Sequence, residues 1–118
     1  MRYYILDDDG NPLPIDSEDL PAVRWWAEWF ENEEHRIVEQ TPIGPYFVST
    51  VFLGIDHNFS RSDHAPVLWE TMVFAKDGQR RDLDCRRYAS AEEAREGHRI
   101  TCDLVRLEVE HVTDARRD

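Results

Sequence analysis

The chain has 118 residues, of which 41% are hydrophobic and thirteen are aromatic, enough for one domain around one core. Its formal net charge of −11 at pH 7 disfavours nucleic acid and anionic lipid as partners and favours basic protein surfaces. No stretch has the length of a membrane span, and two cysteines, Cys85 and Cys102, are too few for a disulfide framework.

Tyr3 to Leu6 is expected to form a short strand, stopped by the turn signal Asp7-Asp8-Asp9-Gly10-Asn11-Pro12. The acidic run lacks the glycine position of an EF-hand loop, so calcium binding is not expected there. Ser17 is placed to cap a helix running to about Glu34, with Glu18 and Asp19 in the first turn and Pro21 close behind. At the helical period Leu20, Val23, Trp26, Ala27 and Phe30 share one face. Ala22, Trp25 and Trp29 widen the apolar arc beyond what one sheet face can cover.

Arg36 to Gln40 follows as a strand, ended by a turn over Thr41-Pro42-Ile43-Gly44-Pro45. Two β-branched and aromatic runs, Tyr46 to Ile55 and Val67 to Phe74, predict a hairpin across the polar loop 56–66. Lys76-Asp77-Gly78 marks a second hairpin turn into a charged strand, about Arg81 to Tyr88, whose polarity suits a sheet edge. Ser90-Ala91-Glu92-Glu93 is a capping box opening a second helix, with Ala91, Ala94, Thr101, Cys102, Val105 and Val109 as its apolar stripe and His98 in the middle. Residues 113–118 are expected to be a loose tail. The order β-α-β-β-β-β-α predicts an α+β domain over 1–118, with a mostly antiparallel sheet of about five strands and two helices on one face.

Acidity is concentrated at one end. Residues 1–40 carry eleven acids against three bases, and residues 76–118 carry eleven against ten. Thirteen of the fourteen bases are arginine. The segment MRYYILDDDG contains no apolar run of signal-peptide length, which predicts a cytoplasmic protein with reduced thiols.

Among residues that can carry chemistry, Glu70 is the sole charge within Val67 to Phe74, sharing its strand face with Leu68, Met72 and Phe74. A carboxylate there is paired, protonated or aimed into a cleft; Arg81, Arg86 and Arg87 are the candidate partners. Asp56 and His57 end one hairpin strand and His64 stands near the other, a set able to bind metal or exchange protons, or simply to cap a solvated loop. His98 and Cys102 share a helix face near Cys85, a trio that would hold zinc only with a fourth ligand. No phosphate loop, nucleophile elbow or paired-cysteine metal motif is present, so neither cofactor nor metal is expected.

The segments Asp9-Gly10-Asn11-Pro12, Ser49-Thr50-Val51-Phe52-Leu53-Gly54-Ile55-Asp56-His57-Asn58-Phe59, Pro66 to Phe74, Arg87-Tyr88 and Glu93 to His98 resemble a family of small uncharacterised proteins. That family is encoded by bacteria, especially actinobacteria, and by their phages. The resemblance implies a prokaryotic or phage origin and no assigned activity. Family loops are rich in glycine whereas this one reads Ser60-Arg61-Ser62-Asp63-His64-Ala65, which sets His64 aside and leaves Asp56, His57, Glu70 and His98 in the resembling segments. Three functional expectations follow. One is a non-enzymatic binding module that meets a basic protein partner through Trp25, Glu28 and Trp29. The others are a small enzyme or metal protein built on Asp56, His57, Glu70 and His98, and a homodimer through Trp25 and Trp29.

Overall fold

The fold was read from a computed structural model, which describes residues 2–57, 65–77 and 80–115, with backbone alone over 80–84 and 112–115. Among the described residues six strands and two α-helices follow one another as β1 (Tyr3–Leu6), β2 (Pro12–Ile15), α1 (Leu20–Glu31), β3 (Ile37–Ile43), β4 (Tyr46–Phe52), β5 (Trp69–Ala75), β6 (Arg80–Tyr88) and α2 (Ala91–Ala115). The strands form a two-stranded sheet, β1-β2, and a four-stranded sheet, β3-β4-β5-β6, both antiparallel. The fold is α+β, and the charged strand β6 is an edge, as its composition predicts.

Within this agreement the boundaries differ for local reasons. A hairpin replaces the single N-terminal strand: Asp7 Oδ1 accepts from the backbone N–H groups of Asp9 and Asn11 at 2.9 and 2.8 Å. Gly10 takes the positive φ of 82° that closes the turn. Helix α1 starts at Leu20 rather than after Ser17. Its cap is Asp19, whose Oδ1 accepts from Ala22 N at 3.3 Å, and Pro21 sits in the first turn where its missing N–H costs nothing. It stops at Asn32, which caps a single 3-10 turn over Glu33–His35. Strand β3 runs through Pro42 to Ile43, tolerated because β3 is an edge.

Strand β4 ends at Phe52 because the next residues join the other sheet. Ile55 bridges to Tyr3, and Tyr4 N donates to Gly54 O at 2.8 Å. Gly54, at φ 73°, lies so close to Phe30 that a Cβ would stand 2.9 Å from the ring, so this crossing requires glycine. The same crossing seats α1: Trp26 Nε1 donates to both Tyr4 O and Gly54 O, at 3.0 and 3.2 Å, and its ring stacks on Phe30.

Register fixes which residues share a face. Val48, Thr50 and Phe52 pair with Val73, Thr71 and Trp69 on the face that α2 covers, while Phe47, Ser49 and Val51 pair with Phe74, Met72 and Glu70 on the opposite face. The core lies on the first of these. One cluster joins Tyr4, Phe52, Leu68, Trp69 and Ala94, with Trp29 and Tyr88 packed against it. A second joins Ile43, Val48, Val73, Cys102 and Val105. Glu70 does share a face with Met72 and Phe74; Met72 is buried there and Leu68, just before the strand, joins the core, while Trp69, Thr71 and Val73 form the face that α2 covers. Helix α2 opens as the capping box predicts, Ser90 Oγ accepting from Glu93 N at 3.1 Å, and continues to Ala115 across part of the expected tail. Residues 116–118, Gly78 of the second turn and loop residues Asn58 to His64 lie outside the described residues.

Candidate functional site

The four candidate residues of the hairpin and α2 fall into three separate environments. Asp56 serves the backbone: its Oδ1 accepts from Val67 N at 2.9 Å, closing the mouth of the loop. His57 turns its Nδ1 back to Ile55 O at 2.8 Å while its N–H donates to Val67 O. Both therefore hold the two hairpin arms together where the chain leaves β4.

Glu70 stands directly opposite Arg87 in the β5–β6 register, and Arg87 Nε donates to Glu70 Oε2 at 2.9 Å. The Cys85 thiol approaches the same oxygen at 3.6 Å. This bond pushes the Arg87 guanidinium pKa upward, and the Glu70 side chain, 16% exposed, is held by the pairing rather than aimed into a cleft. Of the three arginines considered from sequence, Arg87 is the partner.

His98 lies on the other side of the sheet, 2% exposed under α2. Its Nδ1 is 2.7 Å from Thr50 Oγ1 and its Nε2 is 2.9 Å from Thr41 Oγ1, with Glu39 Oε2 at 3.8 Å. Thr50 Oγ1 in turn lies 2.6 Å from Thr71 Oγ1, which accepts from Tyr88 Oη at 3.1 Å. Burial pushes the His98 pKa down, Glu39 partly offsets this, and Arg106 lowers it further. An acid, a histidine and a threonine hydroxyl in sequence resemble an activated nucleophile, yet Thr50 is fully buried. No substrate reaches it in this fold.

Glu70 and His98 thus face opposite sides of one sheet and cannot share a ligand. Cys85 and Cys102 are separated in the same way, one exposed beside Glu70 and the other buried beside His98. Among the described residues no three His, Cys, Asp or Glu side chains stand close enough to hold a metal ion. Burial raises the Cys102 thiol pKa, against a smaller lowering by its hydrogen bond with Thr41. A thiol reagent titrated against folded protein should therefore modify one cysteine rapidly and the second only on unfolding. Rapid modification of both would show that α2 leaves the sheet readily.

Helix α1 presents a different kind of surface. Trp26 is buried and Trp29 packs edge-on against Phe52, 5.8 Å between centroids, while stacking on His35. Trp29 therefore belongs to the core and not to an open surface, because the helix turns that edge toward β4. Trp25 is 53% exposed and Leu20, assigned from sequence to the buried face, is 76% exposed. With Pro21, Arg24 and Glu28 they line a shallow groove. Leu20 is free of the core because the helix begins with it, one turn before α1 meets β1.

The charges around this groove differ from those on α2. On α2, Arg99 bridges Glu96 and Asp103, and Arg106 pairs again with Asp103, so these two acids are neutralised by their own helix. Among the described residues none of Glu18, Glu28, Glu31, Glu33 or Glu34 is in an ion pair. Beside the exposed Trp25 the groove thus carries one carboxylate without an ion pair, Glu28, and one cation, Arg24, with further unpaired acids on α1 and at its two ends.

No protein family, curated protein or solved structure matches this chain. Among the described residues no helix is long and apolar enough to cross a membrane.

Proposed function

We propose that this chain is a non-enzymatic binding module of bacterial or phage origin, acting in the cytoplasm on a protein partner with a basic surface. The observation that supports this reading is the conjunction of Trp25 and Leu20, largely exposed on α1, with Glu28 and Glu31 on the same helix and Glu18, Glu33 and Glu34 flanking it, none of them in an ion pair among the described residues. An indole supplies a rigid apolar anchor and a face for a partner cation, and unpaired acids supply steering and register. The separation of Glu70 from His98 across the sheet weighs against an enzyme site uniting the hairpin and helix candidates. Dimerisation through α1 would set like charges against each other, so the same acids favour a different partner.

Trp25→Ala should leave thermal stability within about 0.5 kcal/mol of the parent, since Trp25 is outside both core clusters. In capture from the native host followed by mass spectrometry, wild type should retain a stoichiometric basic protein. Trp25→Ala and Glu28→Arg should each lose it, and raised salt should weaken it. Equal retention by both variants would overturn the assignment to α1. Concentration-dependent mass of the isolated chain, abolished by Trp25→Ala, would favour the homodimer instead.

A further inference from the structure

A continuous hydrogen-bonded chain crosses the whole four-stranded sheet beneath α2. It passes from Thr41 on β3 through His98 to Thr50 on β4, Thr71 on β5 and Tyr88 on β6, with the Glu39 carboxylate 3.8 Å from His98 Nε2 at its β3 end. Thr50 and Thr71 are fully buried, whereas Tyr88 reaches partial exposure at the edge strand. The direction of the bonds follows from proton inventory. A neutral imidazole carries one N–H, and we assign it to Nε2, where the Glu39 carboxylate 3.8 Å away favours it. Nδ1 then accepts, and its neighbour Thr50 must donate. With the Thr50 proton so used, Thr71 must donate to Thr50, and Tyr88 already donates to Thr71. Every group in the chain is satisfied by this one order.

We propose that these residues form a buried proton wire leading to His98 Nδ1 from the Tyr88 hydroxyl, which lies between the partly exposed edge strand and Gly97 of α2. Tyr88 passes its proton to Thr71, Thr71 to Thr50 and Thr50 to the Nδ1 lone pair, while Tyr88 takes one proton from solvent. One proton enters and one is gained at His98, each O–H bond broken being replaced by another. The wire ends with its direction reversed: Nδ1–H donates to Thr50, Thr50 to Thr71, and Thr71 to Tyr88. Protonation of a histidine under the β3 side of α2 is thereby registered at Tyr88, three strands away and against Gly97 of the same helix.

The groups facing His98 set its response. They are Glu39 on β3, which favours the charged ring, and Arg106 with the raised thiol of Cys102 on α2. Tyr88 and the exposed Arg86 stand on this face of β6, and Tyr46 lies at the Val109 end of β4. On this face β5 presents no titratable group. Because the folded pKa lies below the unfolded value of 6.5, the unfolded chain binds the proton first. Stability contributed by neutral His98 is complete above pH 6.5 and is lost as pH falls from there toward the lowered folded value.

Nitrogen-15 NMR of the ring, recorded through a pH titration, tests the wire on the intact chain. At neutral pH His98 should show a bare Nδ1 and a protonated Nε2. Tyr88→Phe removes the acceptor that Thr71 needs only in the reversed state, so it should move the His98 titration to lower pH without moving His35 or His111. Thr50→Ser keeps the hydroxyl and should retain the coupling, and Glu39→Gln at the exposed end should shift the titration downward independently of Tyr88→Phe. A protonated Nδ1 at neutral pH, or a His98 titration unchanged by Tyr88→Phe while the variant remains folded, would overturn the proposal. A purely packing role for Tyr88 would lower the melting temperature and leave the titration in place.

Discussion

Replacing Phe52 by alanine should destabilise the fold by about 3–5 kcal/mol, the usual cost of deleting a fully buried aromatic ring. Phe52 is inaccessible to solvent and is the residue where three elements converge. Its ring lies 5.8 Å from Trp29 of α1 and 5.4 Å from Trp69 of β5, both edge-on, and it shares a core cluster with Ala94 of α2. The loss combines the transfer energy of the ring, a cavity its neighbours cannot fill, and two aromatic contacts worth about 0.5–1.5 kcal/mol each. Against a total stability of about 5–15 kcal/mol for a domain of this kind, that is between about a fifth and the whole of it. Urea denaturation should show the midpoint falling steeply with an unchanged slope. A loss below about 1.5 kcal/mol would mean that the two helices do not depend on this junction. Trp29 is also how α1 reaches the sheet, so the variant should weaken partner capture through an intact Trp25 surface, an effect Trp25→Ala would produce without any change in stability.

The residues that made the fold legible are those whose local preference and tertiary role agree. The β-branched runs around Val48 and Val73 are strands because they are also core, and Ser90 with Glu93 caps α2 in the geometry its spacing demands. Edges were less legible. Pro12 and Pro14 argue against a strand, yet β2 accommodates both because a two-stranded hairpin leaves its outer edge unpaired. Ile55 continues the apolar pattern of β4 but bridges to Tyr3, since Gly54 redirects the chain and the pattern alone does not say which strand receives it.

The candidate residues divide on the same principle. The Glu70–Arg87 pair was anticipated because a lone charge in an apolar strand needs a neighbour, and the next strand offered arginines. The wire was not. Thr50, Thr71 and Thr41 are ordinary β-formers in sequence, and only register brings their hydroxyls into one line with a helix histidine. The available signal was hydroxyl residues set inside otherwise apolar strand runs beneath a histidine on an apolar helix face. Leu20 was misassigned because the helical period gives a face but not where along the helix that face stops being covered.

Gly97→Ala should destabilise by about 1–3 kcal/mol even though alanine is the better helix former by about 1 kcal/mol. Gly97 is buried within α2, and a Cβ there would overlap the Tyr88 hydroxyl and the adjoining ring carbons. The far end of a tyrosine can usually move aside, but this one donates to Thr71 at 3.1 Å and its ring packs against the core cluster of Phe52 and Trp69. Either α2 lifts from the sheet or Tyr88 swings out and leaves the hydroxyl chain open at its edge. The two costs have one cause, so a second substitution separates them from helix propensity. In a Tyr88→Ala background the overlap is gone, and Gly97→Ala should then be neutral or stabilising by up to about 1 kcal/mol. That reversal of sign, read from thermal or urea melts of the four proteins, identifies the glycine as the space the tyrosine needs. Destabilisation of the same size in both backgrounds would show instead that α2 requires glycine for its own backbone. Gly97→Ala should also shift the His98 titration, because it displaces the hydroxyl at which the wire begins.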